Sequence, residues 1–180
     1  MDGSGSPSAE TREQFVQRAL DEFEGPLVGY ANGILHDLDR ARDVVQDTFI
    51  RLCQQDLGKV RDGLKTWLFT VCRNRALDVL RKERRAALVD DEQLGRMPAP
   101  GASPAWQADQ RERMDQLMRC LGRLTENQRE VILLKFQQGM SYQEISEVTG
   151  LGTGNIGFLI HVGLKRLREL LPGDLLENLA

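Results

Sequence analysis

Hydrophobic positions recur every three or four residues along most of the chain, which is the spacing that one buried face of an α-helix requires. In the first half this spacing predicts helices over 15–23, 27–35, 41–52 and 64–85. Pro26 separates the first two segments, and it predicts a new helix there because proline is tolerated in a first helical turn but not within a helix. No alternating pattern bounded by turn residues indicates a strand. The sequence therefore predicts an all-α fold.

The periodicity stops between residues 86 and 104, in a stretch with three prolines, two glycines and an acidic cluster. This composition is typical of an interdomain linker. We therefore expect two small helical domains joined by a flexible linker. The expected boundaries are a disordered lead-in at 1–10, a first domain at 11–86, a linker at 87–105 and a second domain at 106–180.

The second half contains two capping boxes, in which a helix-opening hydroxyl and a side chain three residues later satisfy each other's backbone amides. The pairs are Thr125 with Gln128 and Ser141 with Glu144. The short helix that Ser141 opens ends at Gly150, which can adopt the left-handed conformation of a helix C-terminus. A longer helix follows, so residues 141–171 predict a helix-turn-helix, which places the start of its second helix in a DNA major groove. An ordinary helical hairpin is the alternative.

The long helix predicted over 64–85 has a basic outer face opposite its apolar stripe. The residues that share this face are Asn74, Asp78, Arg81, Lys82 and Arg85. Such a face can neutralise phosphates and offer Asn and Arg groups to base edges. A basic face that is merely solvated is the alternative.

The helix predicted over 41–52 has a different outer face. Asp43, Gln46 and Asp47 lie together there, with Ile50 one turn further on. An acidic face with an exposed apolar residue suits a protein partner better than DNA. Taken alone, the pattern fits equally well with a face that only confers solubility.

Composition narrows the possible functions. The net charge is −3, so any nucleic-acid binding must depend on local basic clusters. The three cysteines are far apart and lie in apolar-periodic segments, where burial is expected, and there are only two histidines.

No phosphate-binding glycine loop and no nucleophile with a base is present, so we expect no enzyme activity, no metal and no cofactor. Without a secretory signal or a membrane-spanning run, we expect a cytoplasmic protein with no membrane insertion.

These motifs together resemble the extracytoplasmic-function (ECF, group 4) sigma factors, which carry family regions 2 and 4 joined by a short linker. Residues 15–85 are similar to region 2. Within them, the segment ARDVVQDTFIRL resembles the family's polymerase-docking helix. The segment KTWLFTVCRNRALDVLRKERR resembles its promoter-reading helix. The second half resembles region 4 over LGRLTENQREVILLKFQQGMSYQEISEVTG and NIGFLIHVGLKRLREL. The resemblance implies a sigma factor that binds core RNA polymerase and directs promoter-specific transcription initiation.

The resemblance also implies roles for particular residues. The family's docking helix binds the clamp helices of the β′ subunit, which implies this role for Asp43, Gln46, Asp47, Phe49 and Ile50, although Phe49 fits the core equally well. The family's promoter-reading helix contacts the −10 element, which implies this role for Asn74, Asp78, Arg81, Lys82 and Arg85. In the family the preceding loop captures a flipped non-template base, and residues 55–65 occupy that place. Region 4 implies contacts with the −35 element and the β flap.

The recognition helix departs from the family pattern, because its first turns lack long cations. The residues expected to approach the −35 element are Thr153, Gly154, Asn155, Gly157, Phe158, His161 and Lys165. Phe158 can meet a thymine methyl group. Alternatively, Phe158, Leu159 and Val162 form an apolar patch for a protein contact.

Two other functions stay open from the sequence. One is a free-standing helix-turn-helix transcriptional regulator, for which the first domain would be surplus. The other is a protein-interaction module derived from the sigma fold, which the apolar recognition helix favours. An anti-sigma factor is a further partner that the family resemblance allows, although no residue of the chain points to one.

Overall fold

The computed structural model describes residues 10–87 and 119–170. The regular structure in these two ranges is helical, as the sequence predicts. The chain divides into two compact units, and each of the described ranges belongs to one of them. Most of the predicted linker lies outside the described residues. None of the helices described is both long and apolar enough to cross a membrane.

The first unit is formed by helices that begin at well-defined caps. The elements are α1 (Arg12–Leu35), α2 (Leu38–Gln54), α3 (Leu57–Val60), a 3₁₀ turn (Arg61–Gly63) and α4 (Leu64–Ala87). Thr11 and Gln14 form a capping box at the start of α1. The side chain of Asp37 accepts hydrogen bonds from two backbone amides at the start of α2. His36, at φ 54°, makes the tight left-handed turn between these two helices.

The break predicted at Pro26 is wrong, because α1 runs through this residue without interruption. Proline cannot donate a hydrogen bond to the carbonyl of Glu22. Both residues are exposed, however, so water can satisfy that carbonyl. The buried residues Phe23 and Leu27 keep helical spacing across the proline. Packing of this continuous apolar stripe therefore outweighs the proline's local cost of about 3 kcal/mol.

The core of the first unit forms where α4 packs against α1 and α2. Leu68, Phe69, Cys72 and Ala76 are completely buried on the inner face of α4. The Phe69 ring lies 5.2 Å from the ring of Tyr30 in α1, at an interplanar angle of 57°. Aromatic pairs favour such tilted contacts over face-to-face stacking. The inner face of α4 is thus fixed by packing, and its opposite face is directed outward.

The second unit contains the predicted helix-turn-helix. Its elements are α5 (Glu126–Ile132), a π-helical turn (Leu133–Gln137), α6 (Tyr142–Thr149) and α7 (Thr153–Leu170). Both predicted capping boxes are present, at the starts of α5 and α6. Gly150 adopts the left-handed conformation, with φ 75°, and its amide donates to the Ser146 carbonyl over 2.8 Å. The predicted caps therefore define the turn between α6 and α7.

Gly163 allows α7 to approach α5 closely. A Cβ atom at this position would lie 2.6 Å from Cδ1 of Ile132 and 3.4 Å from Cβ of Gln128. Real Cβ atoms almost never make the shorter of these contacts. Ile132 is itself buried, so it can shift only by disturbing its other neighbours. A glycine is therefore required for the observed packing of α5 and α7.

We predict that Gly163→Ala destabilises the second unit by about 1 kcal/mol, because overpacking costs more than the gain in helix propensity. Adding Ile132→Val removes the clashing Cδ1 and should recover part of the loss. Gly154→Ala is the matched control, since nothing lies within 4 Å of its added Cβ. Native-state hydrogen exchange of amides in α5 and α7 measures the change. Equal stabilisation by both alanine substitutions would contradict the close packing.

The cysteines differ in their burial. Cys72 and Cys120 are buried, as expected, but Cys53 is exposed, so the expectation of burial is wrong for Cys53. Cys53 lies near the end of α2, beyond the last buried residue of that helix, Leu52. Burial raises the pKa of the Cys72 thiol to about 12, against a smaller opposing effect of its hydrogen bond with Thr48.

We predict that iodoacetamide at pH 8 alkylates Cys53 in the native protein and spares Cys72. The reactive species is the thiolate, which burial disfavours at Cys72. Peptide mass spectrometry, with and without urea, should show modification of Cys72 only after unfolding. Alkylation of both cysteines at similar rates in the native protein would disprove the burial of Cys72.

Candidate nucleic-acid and protein interfaces

The outer face of α4 brings together the five residues that the sequence assigned to it. Asn74, Asp78, Arg81, Lys82 and Arg85 are all exposed. Asp78 Oδ1 accepts a hydrogen bond from Arg81 Nη1 over 2.9 Å, one turn along the helix. Within the described ranges, Lys82 and Arg85 have no ion-pair partner. The α4 face therefore presents an amide, an internal ion pair and two uncompensated cations to solvent.

Two ion pairs join α4 to α2. Arg75 donates to Asp47 Oδ2 through Nε over 2.8 Å and through Nη2 over 2.7 Å. Arg40 of α2 forms a second ion pair with Glu83. Arg75 and Glu83 are therefore committed to contacts between helices, which leaves the charge at Lys82 and Arg85 available to a partner.

The outer face of α2 matches its prediction only in part. Asp43, Gln46 and Ile50 are exposed, and Ile50 is 48% exposed. Asp47 is half-buried and is bound to Arg75. Phe49 is only 6% exposed, so its assignment to the docking surface is corrected: it belongs to the core. The α2 face consists of Asp43, Gln46 and Ile50, with Asp47 at its edge.

A cluster at the start of the first unit was not predicted. Glu10 accepts hydrogen bonds from Arg18, over 3.0 and 3.2 Å, and from Arg61, over 2.9 Å. Both guanidinium groups lie over the ring of the buried Phe15, at 5.3 and 4.9 Å from its centroid. Hydrogen bonding to Arg18, together with the charges of Arg18 and Arg61, lowers the pKa of Glu10 despite partial burial. Glu10 therefore joins α1 to the 3₁₀ turn.

Arg12 adds a second connection at the same place, by donating to the backbone carbonyl of Gln55. The contacts of Glu10 and Arg12 together hold both ends of the segment 55–61 against the start of α1. Val60, directly before Arg61, anchors this segment in the core, at 5% exposure. We call the contacts of Glu10, Arg12 and Arg61 the N-terminal clamp. No sequence pattern indicates these contacts, because their partners lie 43 and 51 residues apart.

The start of α7 exposes most of the residues predicted to approach the −35 element. Those exposed are Thr153, Gly154, Asn155, Phe158, His161 and Lys165. Gly157 is only half-buried, and a Cβ there would lie 3.5 Å from Tyr142 Cε2 of α6. Gly157 therefore lies on the side of α7 that faces α6. The remaining six residues form the outward surface.

The π-helical turn after α5 exposes a second aromatic side chain. Phe136 is 62% exposed, whereas Leu134 in the same turn is completely buried. Lys135 Nζ donates to the Met140 carbonyl over 3.2 Å and lies 5.4 Å from the centroid of the Tyr142 ring. These contacts connect the turn to α6. Phe136 lies within this π-helical turn and its side chain is directed outward.

Comparisons with known proteins match both units. The sigma-70 region 2 family model matches residues 20–86, and the sigma-70 region 4 model matches residues 114–167. The first match includes the α2 and α4 faces, and the second includes the helix-turn-helix. The chain is therefore a sigma-70-type protein that contains regions 2 and 4.

Comparison with individual proteins shows which sigma-70-type proteins this chain is similar to. The chain is 31% identical over 132 residues to the ECF RNA polymerase sigma factor RpoE of Cereibacter sphaeroides, covering 72% of this chain and 71% of that protein. It is 29% identical to the ECF RNA polymerase sigma factor SigX of Bacillus subtilis, covering 92% and 90%. The chain belongs to the ECF RNA polymerase sigma factors, and it is a sigma factor that directs transcription initiation.

A solved structure agrees with this family. The sigma factor RpoE of Bartonella quintana, crystallised in complex with the anti-sigma factor NepR, matches with a TM-score of 0.64 and 28% identity. The match covers 90% of this chain and 99% of that one. Both the helical fold and the order of the two regions are thus shared with a sigma factor of known structure.

We predict that Glu10→Gln loosens the segment 55–61 by removing the charge that holds Arg61. Hydrogen exchange followed by mass spectrometry should show several-fold faster exchange in this segment, while α4 exchanges as before. Glu13→Gln is the matched control, because Glu13 lies in the first turn of α1 and makes no ion pair within the described ranges. Unchanged exchange in Glu10→Gln would show that the clamp does not order the segment.

Proposed function

We propose that this chain is a group 4 sigma factor whose first unit binds core RNA polymerase with the α2 face and the promoter −10 element with the α4 face. The observation that carries the proposal is the chemical contrast between these two outward faces of one small unit. In this proposal residues 11–86 and 106–180 act as separate domains in the cytoplasm, and neither performs catalysis.

The α2 face fits a protein partner. Asp43 is an exposed carboxylate that would repel a DNA phosphate, and Gln46 offers both a donor and an acceptor. Ile50 leaves nearly half of its side chain in water, so burying it against a partner releases hydrophobic free energy. The family's partner at this position is the pair of β′ clamp helices. We therefore assign polymerase docking to Asp43, Gln46 and Ile50, with Asp47 held at the edge by Arg75.

The α4 face fits DNA that is being opened. Lys82 and Arg85 supply positive charge without a competing carboxylate within the described ranges, as phosphate contacts require. Asn74 offers an amide with the geometry to recognise adenine. Asp78 orients Arg81 through their ion pair, and its carboxylate can also accept from a cytosine amine. We therefore assign contacts with the −10 element to this face.

The N-terminal clamp supports this assignment. In the family, the segment before the promoter-reading helix captures a flipped non-template base, and residues 55–65 hold the corresponding position. A pocket that receives one base must be preorganised, because ordering a loose segment on binding costs affinity. Glu10 and Arg12 order part of this segment before DNA arrives. The clamp thus prepares the region for a single-stranded base.

The second unit supplies the remaining contacts in this proposal. The outward surface of α7 meets the −35 element, and an apolar surface of the unit meets the β flap. An anti-sigma factor is a further proposed partner, because the Bartonella quintana relative was crystallised with one. In this proposal the two units bind separate promoter elements at once, with avidity set by the reach of the connection between them.

We predict that Ile50→Glu weakens binding to core RNA polymerase at least tenfold, because it places a charge where an apolar side chain is buried. Competition with a fluorescent reference sigma factor for purified bacterial core measures this. Leu38→Glu is the matched control: Leu38 is 42% exposed on the same helix but lies outside the α2 face. Equal affinities for the two variants would contradict docking through the α2 face.

We predict that Lys82→Ala lowers the slope of log affinity against log salt concentration by about one, because one phosphate contact is lost. The measurement is binding of the reconstituted holoenzyme to a promoter that it transcribes, across a salt series. Arg123→Ala is the control, since Arg123 is an exposed cation outside the assigned surfaces. An unchanged slope for Lys82→Ala would exclude a phosphate contact through Lys82.

A further inference from the structure

The outward surface of α7 is uncharged and partly aromatic in its first half and carries cations in its second half. Asn155, Phe158, His161 and Lys165 follow one another at intervals of three or four residues, so they form one stripe. The opposite side is buried through Ile156 and Ile160. Phe158 is 63% exposed at the centre of the stripe's first half. The helix therefore holds a large aromatic ring in water at the end that a helix-turn-helix inserts into DNA.

Cations are confined to the other half of α7. From Thr153 to Leu164 the helix has no Lys or Arg, whereas Lys165, Arg166 and Arg168 follow and are all exposed. Lys165 lies about 10 Å beyond Phe158 along the axis, at roughly 1.5 Å per residue. This separation is comparable to the width of a major groove, which is about 12 Å. Cations at this end can meet phosphates while the first turns face bases.

The first turns of α7 also exclude the commonest way of reading a guanine. That contact is a bidentate hydrogen bond from Arg or Lys to O6 and N7, and neither residue is available there. Among base edges in the major groove, the thymine C5-methyl group is the one that apolar side chains contact. The chemistry presented by Phe158 therefore matches thymine better than any other base.

We infer that Phe158 reads a thymine in the −35 element through contact between its ring and the C5-methyl group. The inference rests on the proposed function and adds the base that this chain recognises. The charge distribution favours DNA over a protein partner for this surface, because Phe158 and Lys165 lie on one continuous stripe. Phe158 is thus a specificity-determining residue whose partner is a single methyl group.

The test begins with promoters that the reconstituted holoenzyme selects from a library randomised around the −35 position. Each enriched thymine is then replaced by deoxyuridine, which keeps the base pair and removes only the methyl group. For the wild-type protein, we expect one such replacement to lower holoenzyme affinity about fourfold, the effect of one buried methyl-sized group.

The decisive comparison repeats the replacement with variant proteins. Phe158→Ala should bind the thymine and deoxyuridine promoters equally well, because the ring that senses the methyl group is gone. Phe136→Ala is the matched control: it removes an equally exposed aromatic ring from another element and should retain the fourfold penalty. Since Phe158 is exposed, its substitution leaves the core of the unit intact.

Three results would overturn the inference while leaving the proposed function in place. The first is that no thymine is enriched near the −35 position. The second is that Phe158→Ala still binds the deoxyuridine promoter more weakly than the thymine promoter. The third is that Phe158→Ala loses affinity for core polymerase while deoxyuridine has no effect on promoter binding. The last result would assign Phe158 to a protein contact. If no promoter-specific initiation occurs with an active core enzyme, the proposed function itself fails, and the inference fails with it.

Discussion

The architecture of the first unit depends on the burial of one face of α4 against α1 and α2. Leu68, Phe69, Cys72 and Ala76 are completely excluded from water there. A helix with one face fixed in a core can present only the opposite face to a partner. The same packing fixes α2 through Val44, Leu52 and their neighbours, which turns Ile50 outward. One core therefore supports a cationic face on α4 and an acidic, partly apolar face on α2.

The sequence predicted features of the fold that depend on local chemistry. Capping boxes at Thr125 and Ser141 and the glycine C-cap at Gly150 involve residues within a few positions of each other, so their spacing is visible in the sequence. Pro26 gave the wrong result because a tertiary effect, the continuous apolar stripe of α1, outweighs a local preference. Gly163 was not singled out, because its requirement comes from Ile132 on another helix.

In the candidate interfaces too, features set by helical spacing were predictable from the sequence, and contacts between distant residues were not. Helical spacing placed Asn74, Asp78, Arg81, Lys82 and Arg85 on one face, and all are exposed together. The family motif includes Phe49, and the sequence left open whether this residue belongs to the docking surface or to the core; the structure shows that it is buried, beside the exposed Ile50. The N-terminal clamp joins residues far apart in sequence, and no pattern of spacing reveals such ion pairs. Contacts between residues far apart in the sequence are therefore the features that only the structure reveals.

We propose that polymerase and promoter DNA meet different faces of the first unit at the same time. Site-specific photo-crosslinking tests this most directly, with benzoylphenylalanine placed singly at position 46 or 82 in a reconstituted initiation complex. We expect position 46 to crosslink to a polymerase subunit and not to DNA. We expect position 82 to crosslink to promoter DNA near the −10 element. Crosslinks from position 46 to DNA, or from position 82 only to protein, would contradict the assignment of the two faces.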